Sequence, residues 1–87
     1  MIIPIDKKIR IRGTADCWQL EKAIKREGQT EWQAFKYFPT FMDAIGEACR
    51  REIRLHPAMG LTDAIQAVDK IAARYNKLLD DALREAA

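Results

Sequence analysis

The spacing of the apolar residues changes at Lys36-Tyr37-Phe38-Pro39-Thr40-Phe41, and this change constrains the fold more than any other feature of the chain. Upstream, apolar residues mostly alternate with polar ones, as in half-buried strands. Downstream they recur every three or four residues, as in amphipathic helices. Pro39 cannot continue a strand ladder, and Thr40 with Asp43 resembles a capping box. The sequence therefore predicts an α+β fold, with a sheet before this junction and helices after it.

The sheet is predicted as a three-stranded antiparallel meander over residues 1–38. The first strand ends at Arg12, and Pro4 makes residues 2–5 an edge or a lead-in. Residues 17–25 suit either a strand or one helical face. We predict a strand, because a five-residue loop over 26–30 and an aromatic-rich stretch follow. In the third strand, simple alternation places one set of residues on one face, Trp32, Ala34, Lys36 and Phe38, and the other set on the opposite face, Gln33, Phe35 and Tyr37.

Two helices are predicted after the sheet, within a single domain spanning residues 1–87. The first covers 41–56 and ends at His56-Pro57, because the residue before proline is disfavoured in a helix. The second is long, 61–85, with either Gly60 or Thr62 as its cap. Its apolar stripe repeats at intervals of four and three: Leu61, Ile65, Val68, Ala72, Tyr75, Leu79, Ala82 and Ala86. Such a stripe either packs across the first helix or pairs with a second copy, as a homodimer through Val68, Ala72, Tyr75 and Leu79.

Composition and charge exclude several classes of function. The 87 residues carry a formal charge of +2, which is too small to indicate a nucleic-acid or membrane partner by itself. There is no signal-peptide pattern and no run of about 20 apolar residues, so we expect a cytosolic protein without a membrane partner. Cys17 and Cys49 are expected to be free thiols, and His56 is the only histidine. We therefore predict no catalytic residue, no metal site and no cofactor, and the chain is not expected to be an enzyme.

Basic and aromatic residues concentrate on the predicted sheet. A basic sheet with exposed aromatic side chains is typical of surfaces that stack single-stranded nucleic acid. The same aromatic residues also suit a core, and Glu21, Glu27 and Glu31 interrupt the positive charge. The residues predicted to bind a partner, whether protein or nucleic acid, are Lys8, Arg10, Arg12, Trp18, Trp32 and Tyr37.

The junction and the helix after it resemble a family of small bacteriophage and prophage proteins of unassigned function. The resemblance is carried by Lys36-Tyr37-Phe38-Pro39-Thr40-Phe41, by Ala44-Ile45, and by Arg51-Glu52-Ile53-Arg54-Leu55. It implies a phage protein that acts in the bacterial host cytosol by binding a host protein or defence system, as an inhibitor of the anti-CRISPR kind or an adaptor. A single-strand-binding accessory protein of phage DNA metabolism is the alternative.

Overall fold

The computed structural model describes residues 1–86, with the side chains of residues 1–84. The chain divides into two compact units, Met1–Ala44 and Ile45–Ala87, which we call the sheet unit and the helical unit. The elements in chain order are the strands β1 (Ile2–Pro4), β2 (Ile9–Gly13), β3 (Trp18–Arg26) and β4 (Gln29–Phe38), and the helices α1 (Phe41–Leu55) and α2 (Leu61–Ala86). Helix α1 begins in the sheet unit and continues into the helical unit.

The sheet has four antiparallel strands in the order β1-β2-β3-β4, so the prediction of three strands was wrong while the α+β class is confirmed. The additional strand, β1, runs along the outer side of β2. It folds back because Asp6 makes a turn, in which its Oδ1 accepts hydrogen bonds from the backbone N–H groups of Lys8 and Ile9 at 2.7 and 2.9 Å. Pro4 is tolerated there because β1 is an edge strand and loses no essential ladder bond.

Residues 18–26 form a strand, as predicted, but the turn after it is shorter than predicted. Only Glu27 and Gly28 separate β3 from β4, and both have positive φ, 52° and 77°. Two consecutive residues of positive φ are typical of a type I′ turn, whose twist matches that of the two strands it joins. The expected five-residue loop is therefore a two-residue hairpin.

A β-bulge in β4 corrects the predicted facing of its side chains. Ala34 pairs with Glu21, whereas Lys36 pairs with the neighbouring residue Leu20, so Phe35 is the extra residue of the bulge. An extra residue reverses the alternation beyond it. Lys36 therefore lies on the opposite face from Ala34, and Tyr37 lies on the same face.

One face of the sheet carries the apolar core of the sheet unit. Ile11 and Leu20 pair across β2 and β3 and are both fully buried. At the end of this face, the ring of Trp18 packs on Gly13, where a β-carbon would approach it to 3.0 Å. The Trp18 and Phe41 ring centroids are 5.0 Å apart. These contacts join the start of α1 to the sheet unit.

The helix ends follow from local hydrogen bonds. Thr40 Oγ1 accepts a hydrogen bond from the Asp43 N–H at 3.1 Å, as expected for an N-cap. After α1 ends, His56 Nδ1 accepts one from the Ala58 N–H at 3.1 Å. Gly60, with φ of 88°, precedes α2 and its carbonyl accepts the first helical bond from Ala64, so Gly60 rather than Thr62 occupies the cap position.

The buried face of α2 differs from the stripe that the sequence predicts. Ala67, Ile71 and Tyr75 are buried, whereas Leu61 and Ile65 are 78% and 52% exposed. At about 100° per residue, the buried set is centred roughly 90° around the helix from the exposed one. Helix α2 therefore has two apolar faces, because its apolar residues span more of its circumference than one packing partner covers.

We expect Ile11→Ala to lower the free energy of unfolding by about 3 kcal/mol, because it removes a fully buried side chain and leaves a cavity. The matched control is Ile2→Ala on β1, where the same side chain is 53% exposed and the loss should be below about 1 kcal/mol. Urea denaturation followed by circular dichroism measures both. Equal losses would show that the apolar face we describe is not the core of the sheet unit.

Candidate functional site

The strand register collects four of the six predicted partner-binding residues on one face of the sheet, opposite Ile11 and Leu20. Arg10 pairs with Glu21, and Arg12 pairs with Gln19. Directly paired residues share a face, and so do residues two apart along a regular strand. We call this surface the arginine face; its members are Ile2, Pro4, Arg10, Arg12, Gln19, Glu21, Ala23, Lys25, Thr30, Trp32, Ala34 and Tyr37.

At the centre of the arginine face is a buried carboxylate. The side chain of Glu21 is 3% exposed. Its Oε1 accepts a hydrogen bond from Arg10 Nε at 2.6 Å, and its Oε2 accepts one from Gln19 Nε2 at 2.6 Å. Arg12 Nη1 lies 3.9 Å from Oε2 and adds a second positive charge. A buried carboxylate is stable only when it is paired and hydrogen-bonded, and this arrangement supplies both.

The ion pair also orders the aromatic part of the face. The guanidinium of Arg10 lies 4.3 Å from the centroid of the Trp32 ring, which is within cation–π range. Only 18% of the Arg10 side chain is exposed, compared with 50% for Arg12. Tyr37 is 65% exposed. The face therefore presents one anchored arginine–tryptophan stack, with a more exposed arginine and an exposed tyrosine beside it.

The other two predicted residues lie elsewhere. Trp18 is on the opposite face, in contact with Gly13 and Phe41. Lys8 is exposed in the turn before β2, where its carbonyl accepts a hydrogen bond from the Ala23 N–H at 2.8 Å. The structure thus separates Trp18 from the arginine face and leaves Lys8 close to its border.

Glu21 and Gln19 were not among the residues predicted from sequence. Glu21 was treated as a charge that merely interrupts a basic surface, but it is the acceptor that organises Arg10. The available signal was that Gln19 and Glu21 alternate on β3 with the apolar Trp18 and Leu20. Combining that signal with Arg10 requires the register between two strands, which a single sequence does not specify.

The residues predicted for self-association lie in the helical unit and differ in exposure. Val68 is 39% exposed, Ala72 and Leu79 are partly buried, and Tyr75 is 6% exposed. The Tyr75 hydroxyl donates to Glu52 Oε1 at 3.2 Å, and Arg74 also donates to that oxygen. Tyr75 is therefore held within its own unit, and the side of α2 that carries Val68 is the open one.

The two thiols and the histidine have local contacts within their own units. Burial, aided by the Glu52 carboxylate, raises the pKa of Cys49 above its usual value. Cys17 Sγ lies 3.7 Å from Thr14 Oγ1, and the His56 ring binds the backbone of Ala58. Among the described residues, no group of three or more His, Cys, Asp or Glu side chains is placed to hold a metal ion.

Comparison with protein-family models, with curated proteins and with solved structures finds no match for the chain. The resemblance to phage proteins therefore stays a prediction. Within residues 1–86, neither helix combines the length and the apolar character needed to cross a bilayer.

Replacing Glu21 tests the organisation of the face. We expect Glu21→Ala to lower the free energy of unfolding by about 3 kcal/mol, because it leaves the largely buried Arg10 guanidinium without its counter-charge. The matched control is Glu31→Ala, which breaks an exposed 3.8 Å pair with Arg26 and should cost less than about 1 kcal/mol. Urea denaturation of both variants is the measurement, and equal losses would contradict the central role of Glu21.

The two tyrosines provide a test of the helical unit at alkaline pH. Burial of Tyr75, with the Glu52 carboxylate beside it, raises the pKa of its phenol above the ordinary 10.0. The folded state then holds this proton at a pH where the unfolded state has released it. The stabilisation is therefore complete below about pH 10 and is lost as the pH rises above it.

We expect Tyr75→Phe to flatten the fall in the free energy of unfolding above about pH 10, because it removes the buried phenol whose proton the folded state retains. Urea denaturation over a series of pH values measures the slope. In addition, the absorbance titration of Tyr37→Phe, which retains Tyr75 as its single tyrosine, should be displaced to higher pH. An ordinary titration in that variant would contradict the burial of Tyr75.

Proposed function

We propose that the chain is a phage-type binding protein that catalyses no reaction and attaches to a host protein or defence system through the arginine face. The observation that carries the proposal is the Arg10–Glu21–Trp32 arrangement, in which a buried acid holds an arginine against a tryptophan. Arginine, tryptophan and tyrosine are the residues most enriched at the energetic centres of protein interfaces. A face that holds two of them in place before binding loses less side-chain entropy on association.

Charge favours a protein partner over nucleic acid. Glu21 takes up the charge of Arg10, so among the paired side chains of the face Arg12 and Lys25 are the two cations that remain exposed. Phosphate backbones are bound by several exposed cations at once. Arg10 is already paired with the buried Glu21 carboxylate, so it contributes little to binding phosphate. The face is therefore better suited to a few strong side-chain contacts than to tracking a phosphate chain.

The phage assignment and the host cytosol as its place of action rest on the sequence resemblance at the junction and along α1. The motif residues Thr40 and Phe41 have structural roles here, as the N-cap of α1 and as the partner of the Trp18 ring. These two residues of the motif therefore account for how α1 begins, whereas the binding surface proposed for this chain lies on the sheet. The raised pKa of Cys49 supports the proposal that the chain catalyses no reaction, because it disfavours the thiolate form that acts as a nucleophile.

Binding of single-stranded nucleic acid is the second candidate, because Tyr37 is exposed and Arg12 and Lys8 lie on or next to the same face. An exposed tyrosine beside cations can stack a base. In that case affinity for an oligonucleotide should fall steeply with salt, with a slope of about −0.7 per phosphate contact. A protein partner gripped through aromatic side chains would depend only weakly on salt.

We expect a pull-down from bacterial lysate with the intact chain to recover a stoichiometric host protein, both with and without nuclease treatment. Tyr37→Ala should reduce this recovery by at least about tenfold, since truncating an aromatic side chain at the energetic centre of an interface costs about 2 kcal/mol or more. Recovery of nucleic acid alone, lost on adding salt, would contradict the proposal and favour the second candidate.

Two charge reversals on opposite faces sharpen the distinction. Arg12→Glu alters the arginine face, and Lys22→Glu makes the same change of charge at an exposed position that pairs with Ile9 on the other face. A protein partner on the arginine face should be lost with Arg12→Glu only. Attraction of nucleic acid by overall charge should weaken with both variants, since it depends on the summed potential.

A further inference from the structure

We propose that a second copy of the chain docks on the open apolar face of α2, antiparallel, with its two-fold axis at Ala72. We call this face the open stripe; its residues are Leu61, Ile65, Val68, Ala72, Leu79 and Leu83. The prediction from sequence centred the contact on Val68 to Leu79 and included Tyr75. Because Tyr75 is buried and Leu61 and Leu83 are exposed, we place the contact away from Tyr75 and extend it towards both ends of α2.

The open stripe is a continuous surface on one side of the helix. Its residues lie within an arc of about 60° at the rotation of an α-helix, and they extend over roughly 33 Å at 1.5 Å per residue. Four of its large side chains are exposed: Leu61 by 78%, Ile65 by 52%, Val68 by 39% and Leu83 by 57%. Ala72 and Leu79 line a groove on the same side together with Ile45, Gly46 and Cys49. The stripe is thus long enough for a helix of the same length to pack along it.

The spacing of the stripe points to a second copy as the occupant. Leu61, Ile65, Val68, Ala72 and Leu79 follow one another at intervals of four, three, four and seven, which is the spacing of a seam between helices that supercoil around each other. Four of the residues are also arranged symmetrically about Ala72, since Ile65 and Leu79 are each seven residues from it, and Leu61 and Leu83 are each eleven. The counterpart of Val68, four residues beyond Ala72, is the polar Asn76. An antiparallel copy centred on Ala72 therefore places Leu61 against Leu83 and Ile65 against Leu79, apolar against apolar. The small Ala72 side chain allows close approach where the axes cross.

The polar border of the stripe supports the antiparallel direction. Asp69 is three residues before Ala72 and Asn76 is four residues after it, so the antiparallel arrangement brings Asp69 of one copy beside Asn76 of the other, twice by symmetry. The amide of Asn76 can donate to the Asp69 carboxylate, which makes this a complementary pair. Opposed helix dipoles also favour the antiparallel arrangement.

A single helix–helix contact of this length is at the low end of interface size, below about 1,200 Å² in total. We therefore expect roughly micromolar affinity and a concentration-dependent monomer–dimer equilibrium. Sedimentation of the purified intact chain measures it without any host partner, so the result is independent of the proposed function.

The test variant is Ile65→Glu, and its matched control is the neighbouring Gln66→Glu, which adds the same charge at an exposed position on the other side of α2. Ile65→Glu should weaken dimerisation by at least about tenfold, whereas Gln66→Glu should change it by less than about threefold. Circular dichroism verifies that both variants keep the fold. A monomer at every concentration up to about millimolar would overturn the proposal, and so would equal weakening by the two variants.

Disulfide trapping tests the direction, in a chain carrying Cys17→Ala and Cys49→Ala. One sample adds Ile65→Cys and another adds Leu79→Cys. Each sample alone should give no cross-linked dimer on oxidation, and their mixture should give a dimer that contains one chain of each kind. Cross-linking within either separate sample would contradict the antiparallel arrangement.

Discussion

The burial of the Glu21 carboxylate is the interaction on which the sheet unit depends. Removing a carboxylate from water costs several kcal/mol unless donors replace the lost hydration. Arg10 and Gln19 supply those donors from β2 and β3. Because the Arg10 side chain is held by the acid, its guanidinium is also fixed over Trp32. The charge and the aromatic order of the arginine face therefore follow from one buried acid, so contacts within the chain are enough to organise the face.

In the helical unit, too, an acid, an arginine and an aromatic side chain lie in contact with one another. Glu52 accepts hydrogen bonds from Arg74 and from Tyr75, and the Arg74 guanidinium lies 5.2 Å from the Tyr75 ring centroid. Here the aromatic ring is buried rather than presented. The carboxylate satisfies the polar tip of a core tyrosine, and it leaves the adjacent side of α2 free. The Glu21–Arg10–Trp32 group thus organises a face of the sheet, while the Glu52–Arg74–Tyr75 group holds a buried tyrosine in place.

The types of element could be predicted from the sequence because periodicity and capping are local. The change of period at Pro39 and the cap at Thr40 determine where strands give way to helix. Features that depend on pairing between strands could not be predicted. The bulge at Phe35 reverses which residues of β4 join Arg10, and the pairing of Arg10 with Glu21 spans eleven positions. The apolar stripe predicted on α2 included Tyr75 and left out Leu83, because which apolar residues are buried depends on how α2 packs within the helical unit.

The Glu27–Gly28 turn has a consequence for how the chain folds. It joins the two longest strands through only two residues, so their contacts form between positions close in sequence. Closing so small a loop loses little chain entropy, and hairpins of this kind form in about 1–10 μs. The β3–β4 hairpin is therefore suited to nucleate the sheet, with β2 and then the short β1 adding afterwards. A low contact order of this kind is associated with rapid folding, which limits the time during which unpaired strand edges are exposed.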